Sequence, residues 1–96
     1  LVVNPTHYAV ALQYRPPLQA SPKVLAMGKN LIALRIRARA EELGIPIVEN
    51  PPIAQLLFKT ATIDREIPEN LFQAVAEVLA YVYKLDPRRG MRWRSA

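Results

Sequence analysis

Leu1-Val2-Val3-Asn4-Pro5-Thr6-His7-Tyr8-Ala9-Val10-Ala11-Leu12-Gln13-Tyr14 contains two β-prone runs separated by a turn-forming tetrapeptide. Asn and Pro both favour turns, so strand–loop–strand is the natural reading. Side chains alternate across a strand. Tyr8, Val10, Leu12 and Tyr14 therefore share one face, and Ala9, Ala11 and Gln13 the other. The second face is apolar at Ala9 and Ala11. It too can be covered, by a helix that needs small residues beneath it.

Working outward from this pair, Arg15 to Pro22 carries three prolines and is a loop. Lys23 to Met27 predicts a third strand, ending at Gly28. Asn30 can then cap a helix. On that helix Leu31, Leu34, Ala38 and Leu43 fall at helical spacing and are the expected buried stripe, and Gly44 stops it. Pro46-Ile47-Val48-Glu49 is a fourth strand. Asn50 caps a second helix with Pro51 at its first position, where proline is favoured. Thr60 to Pro68 is a connector. Residues 69–85 form the longest helix, with Leu71, Val75, Val78, Leu79, Val82 and Leu85 as its apolar stripe. The order implies an α/β fold: a single small domain with a central mixed β-sheet of about four strands surrounded by helices. Residues 1–85 make this domain, and 86–96 form a basic tail.

Composition narrows the chemistry. The chain has 96 residues, half of them apolar, enough for one core and not two. It has no cysteine, which removes disulfides, thiolate metal sites and cysteine nucleophiles, and fits a reducing compartment. His7 is the single histidine, so no site can use two imidazoles. No metal and no cofactor is expected. No apolar run is long enough to span a membrane as a helix. The opening Leu1-Val2-Val3 reads as the end of a strand, so a fragment of a longer protein is expected. The net charge is +5, of which Arg88, Arg89, Arg92 and Arg94 against Asp86 contribute +3. Such a tail is ordinarily a solvated chain end; phosphate or acidic lipid is the sharper reading. Glu41, Glu42, Glu49, Asp64, Glu66, Glu69 and Glu77 show no spacing that demands a paired acid and base.

The Asn4-Pro5 bond has distinctive chemistry. Asparagine ordinarily ages when the next backbone nitrogen attacks its side-chain carbonyl. Proline has no N–H, so that route is closed. The reverse attack stays open: the Asn4 amide nitrogen attacks the Asn4 main-chain carbonyl carbon and expels the Pro5 nitrogen. Anchoring between paired strands holds Asn4 near its attack geometry. His7 can take a proton from the amide or give one to the leaving nitrogen. Thr6 can donate to the developing oxyanion or brace the turn. Most Asn-Pro pairs never cleave, and Asn50-Pro51, read as a helix cap, is the internal control.

Asn4-Pro-Thr-His-Tyr-Ala-Val-Ala-Leu-Gln-Tyr14 closely resembles the self-cleaving loop and following strand of the FlhB/YscU family of type III export-apparatus proteins. The match continues through Ser21-Pro-Lys-Val24, Leu34-Arg-Ile-Arg37, Gly44-Ile-Pro-Ile-Val-Glu-Asn-Pro-Pro52, Glu66-Ile-Pro68 and Ala74-Val-Ala-Glu-Val-Leu79. Tyr8-Ala-Val-Ala and Ala80-Tyr-Val-Tyr83 look more like the flagellar branch than the virulence-secretion (injectisome) branch. Departures are Ser21, where the family often has alanine, and Ile53-Ala-Gln55, where it often has Leu-Ala-Arg.

The resemblance implies a cytoplasmic domain joined to an N-terminal membrane part, at the cytoplasmic face of the bacterial inner membrane. It implies cleavage between Asn4 and Pro5, with Asn4, Pro5, Thr6 and His7 as the site. It also implies a change of export specificity from rod and hook to filament substrates. The implied partners are export substrates, a hook-length control protein and other export-gate components. Cleavage is single-turnover, so the domain is not an enzyme in the ordinary sense. A shallow pocket involving Pro22, Ala76 and Leu79 is expected to take a short hydrophobic export signal. The alternatives are an injectisome homologue with the same role and, remotely, a nucleic-acid module using the Arg-rich tail. No specific nucleic acid is expected.

Overall fold

The computed structural model describes residues 1–4, 7–15 and 19–85. Pro5, Thr6 and the basic tail from residue 86 onward lie outside the described residues. Within them the order is β1 (Val2–Asn4), β2 (Tyr8–Gln13), β3 (Lys23–Lys29), α1 (Leu31–Leu43), β4 (Val48–Glu49), α2 (Pro51–Thr60) and α3 (Phe72–Leu85), the last entered through a 3-10 turn, Glu69–Leu71. The expected α/β fold with a four-stranded mixed sheet is what the chain forms.

Strand order is β3-β2-β1-β4. β2 runs antiparallel to both β1 and β3, and β4 lies parallel to β1. β3 and β4 are thus opposite edges, and α1 carries the chain across the two strands between them. β1 is an inner strand, bonded on both sides, and it is where the tetrapeptide begins.

The two faces bury different residue types. Val2, Val10, Val24, Leu57, Leu71 and Val75 make the larger core, with α2 and α3 over one face. Val3, Ala9 and Ala33 make the smaller core under α1. Adjacent residues Val2 and Val3 enter opposite cores, as do Ala9 and Val10, the period-two alternation of a strand covered on both faces.

Three sequence expectations change. β3 does not stop at Gly28 but runs on to Lys29. Gly28 is needed inside the strand because α1 crosses closely there. A Cβ at Gly28 would lie 2.9 Å from the Ile32 Cβ and overlap its Cγ2. The β2–β3 register shifts between Ala11 and Leu12, so Ala11 opposes Ala26 while Leu12 opposes Val24. Leu25 is the extra residue of this bulge. It lets Val24 face the larger core while Ala26 and Gly28 face α1, and it leaves Leu25 exposed.

The expected stripe on α1 is also displaced. Leu31, Leu34, Ala38 and Leu43 are exposed, while Ala33 and Ala40 are buried and Ile36 is half-buried. The sheet beneath is built of Ala9, Ala11, Ala26 and Gly28. Small residues on both sides let the backbones approach, and leucine there would hold them apart. Third, β4 is Val48–Glu49 and not the four residues from Pro46, because its pairing with β1 extends only over Val2↔Val48 and Val3↔Glu49.

The start of α1 departs from expectation, since Asn30 makes no capping side-chain hydrogen bond, but two other helix ends follow local chemistry. At the end of α1, Gly44 takes φ 70°, Gly44 N–H bonds Glu41 O and Ile45 N–H bonds Ala40 O, a Schellman closure. Asn50 Oδ1 accepts from Ile53 N–H at 3.3 Å, so the second Asn-Pro pair is the cap expected of it. The Thr60–Pro68 connector lies along the free edge of β3. Val24 N–H donates to Arg65 O, Asp64 N–H to Val24 O and Ile67 N–H to Pro22 O.

The α1 assignment is tested by two substitutions that sequence pattern alone would rank the other way. Leu34→Gln is expected to change stability by less than about 0.5 kcal/mol. Ala33→Leu is expected to destabilise by about 1–3 kcal/mol through overpacking. Urea unfolding of the two variants checks the order.

Candidate functional site: the Asn4–His7 loop and an apolar cavity

Asn4 is the last residue of β1, pairs with Tyr8 and is half-buried. The hairpin reverses between them, and His7 N–H donates to the Asn4 carbonyl oxygen at 3.0 Å. That carbonyl is the one an Asn4 side-chain attack must reach. Its oxygen therefore already faces a donor that can stabilise negative charge as it develops. Sequence reasoning assigned such a donor to Thr6, which lies outside the described residues. The main-chain N–H of His7 was missed, although Asn followed by Pro at the start of a four-residue turn signals a bond from the fourth N–H to the first carbonyl.

The His7 side chain is exposed. Its ring centroid is 6.3 Å from that of Tyr8, and Tyr8 packs at 4.8 Å on Phe58 of α2. The strand leaving the loop is thus anchored into the larger core within one residue of His7. The His7 carbonyl is held as well: Asn30 N–H donates to it at 2.8 Å.

The second expected site is separate from this loop. Pro22 is buried just before β3, Ala76 is exposed on α3 and Leu79 is half-buried on α3. The fold brings all three to one cavity of about 170 Å³, together with Tyr14, Ser21 and Phe72. Phe72, Ala76 and Leu79 follow helical spacing, so Phe72 was legible in the sequence and was overlooked. Ser21 is 4 % exposed, and its hydroxyl has no hydrogen-bond partner in the structure. A larger apolar groove of about 320 Å³ runs between α1 and the small-residue face of the sheet, and holds none of the expected site residues. Among the described residues no helix is long and apolar enough to cross a membrane.

The model of the FlhB HrpN YscU SpaS family matches residues 1–82. The chain belongs to this family. The flagellar biosynthetic protein FlhB of Salmonella typhimurium is 50 % identical over 96 residues, all of this chain and 24 % of that relative. The hypersensitivity response secretion protein HrcU of Ralstonia nicotianae is 50 % identical over 82 residues, 85 % of this chain and 23 % of that relative. The crystal structure of the cytoplasmic domain of FlhB from Shewanella putrefaciens superposes with a TM-score of 0.84 at 46 % identity, covering 95 % of this chain and 70 % of that one. The chain spans about a quarter of the length of these full-length relatives. Family membership accounts for the α/β sandwich and for the order of strands around the loop.

Ser21 gives a test of the cavity wall that is independent of function. A buried hydroxyl without a partner costs about 1–3 kcal/mol. Ser21→Ala is therefore expected to leave the melting temperature unchanged or raise it by a few degrees in a thermal scan, and a clear fall would mean that the hydroxyl is paired.

Proposed function

We propose that this chain is the cytoplasmic switch domain of a flagellar type III protein-export apparatus, and that it cuts itself between Asn4 and Pro5. What carries the reading is the hydrogen bond from His7 N–H to the Asn4 carbonyl oxygen, 3.0 Å long, at the Asn-Pro pair whose asparagine is not occupied as a helix cap, unlike Asn50. Family membership and the flagellar relatives support the setting.

In the proposed step the Asn4 Nδ2 attacks the Asn4 carbonyl carbon. The carbonyl oxygen gains negative charge and is held by His7 N–H. The bond from that carbon to the Pro5 nitrogen then breaks. Nδ2 loses one proton and the Pro5 nitrogen gains one, with the His7 imidazole as the carrier. The products are a C-terminal succinimide on Asn4 and a free amine on Pro5. No water enters, so the fragment masses sum to that of the intact chain until the succinimide hydrolyses.

The cut leaves β1 in place. Val2 and Val3 are 2 % and 1 % exposed, and the strand is bonded to β2 and β4. Cleavage therefore frees the loop ends without separating the pieces. We infer that this relaxation makes the surface competent to change from rod and hook to filament substrates, in contact with other export-gate components and a hook-length control protein. An N-terminal membrane part would place the domain at the cytoplasmic face of the inner membrane. The cavity walled by Pro22, Ala76 and Leu79 is suited to an apolar side chain of an early export signal.

The identity to HrcU favours one second reading, an injectisome component with the same loop chemistry. Export of hook subunits by a flagellar strain carrying this protein in place of its own separates the two.

Intact mass spectrometry of the full-length protein tests cleavage. Two fragments are expected, the second starting at Pro5, and Asn4→Ala is expected to stay whole. A wild-type protein that stays whole at neutral pH removes the reading. For the cavity, Ala76→Glu is expected to weaken binding of early-substrate peptides by about tenfold or more, because an apolar group docking there would desolvate the carboxylate, and to leave cleavage unchanged. Unaltered binding by the folded variant would remove the cavity from the mechanism.

A further inference from the structure

Asn30 joins β3 to α1 with φ 54° and ψ −121°. This lies in a region that glycine enters freely and other residues rarely do. The ψ value also sets it apart from the left-handed helical conformation that asparagine tolerates, where ψ is near +47°. The Asn30 side chain offers no reason for the strain, since it makes no capping hydrogen bond.

The main chain supplies the reason. Asn30 N–H donates to the His7 carbonyl at 2.8 Å, one step beyond the last β2–β3 pair, Tyr8↔Lys29. Its own carbonyl accepts from Leu34 N–H at 3.1 Å, the first bond of α1. One residue must therefore finish a strand and start a helix whose first bond points elsewhere. A relaxed residue with negative φ would give up one bond or the other. His7 in turn donates to the Asn4 carbonyl oxygen. Two bonds in succession thus run from Asn30 through His7 to the bond proposed to break, and they hold His7 at both its N–H and its C=O.

We propose that Asn30 is a positioning residue for self-cleavage. Its strained backbone fixes the His7 carbonyl and so keeps the His7 N–H on the Asn4 oxygen as the Asn4 amide attacks. This rests on the cleavage reading above. It adds that the rate is set in part from the β3–α1 junction, on the neighbouring hairpin. The functional property at position 30 is tolerance of positive φ, and the amide side chain is dispensable.

The test follows cleavage of the full-length protein by pulse-chase for wild type, Asn30→Gly, Asn30→Ala and Gly44→Ala. Both substitutions at position 30 remove the amide, but only alanine resists positive φ. Gly44 also has positive φ, at 70°, at the far end of α1, so Gly44→Ala adds strain without touching the loop. Asn30→Gly is expected to cleave within about twofold of wild type and Asn30→Ala about tenfold slower, with Gly44→Ala near wild type. Asn30→Ser repeats the test if the alanine variant does not fold. Equal rates for the glycine and alanine variants overturn the proposal, as does a Gly44→Ala protein slowed as much as Asn30→Ala. Wild type that does not cleave at all removes the cleavage reading and this proposal together. Wild type that cleaves beside an unslowed Asn30→Ala removes only the proposal.

Discussion

The strand β1 is three residues long, and the rest of the domain is arranged around it. It is hydrogen-bonded to β2 on one side and β4 on the other, and its two valines enter opposite cores. A strand held on both edges and both faces does not rely on chain continuity to stay in place. That is the physical condition for a domain whose chain could be cut at the strand's end without coming apart. The apolar burial of Val2 and Val3 offsets the chain entropy that a break would otherwise release.

The loop inherits its order from that strand. Asn4 is fixed by pairing with Tyr8, and Tyr8 is fixed by Phe58 beneath it. His7 is left exposed in its side chain and constrained in its backbone, by bonds to Asn4 and from Asn30. In the proposed cleavage the imidazole would carry the proton and the main-chain N–H would polarise the carbonyl, so one residue would serve both steps with different parts of it.

The remaining architecture concerns close approach. Ala9, Ala11, Ala26 and Gly28 make one sheet face shallow, and the bulge at Leu25 restores the alternation that keeps small residues there. α1 then packs through Ala33, Ile36 and Ala40. The opposite face carries the larger side chains, and α3 and the turn before it bury Leu71, Val75, Val78 and Val82 on that side. Where the start of α3 meets the segment before β3, the packing leaves the cavity shared by Pro22, Ala76 and Leu79.

Much of this architecture is legible in the residues themselves. The period-two run after His7, the helix stop at Gly44, the Asn50-Pro51 cap and the stripe at Leu71, Val75, Val78 and Val82 rest on local rules, and each forms where those rules put it, while the Leu85 side chain lies outside the described ones. The chemistry of an Asn-Pro bond is equally local, but Asn50-Pro51 shares it, and what sets Asn4 apart in the sequence is the resemblance of the segment around it. The face that α1 buries is not legible in that way. Leucine at helical spacing signals burial only when the partner surface accommodates it, and here the sheet of alanine and glycine takes Ala33, Ile36 and Ala40 of α1 instead. Nor is the strained junction at Asn30. Its bonds are main-chain hydrogen bonds, identical in chemistry for every residue type but proline, so only the tertiary arrangement of a hairpin and a helix start decides where they point.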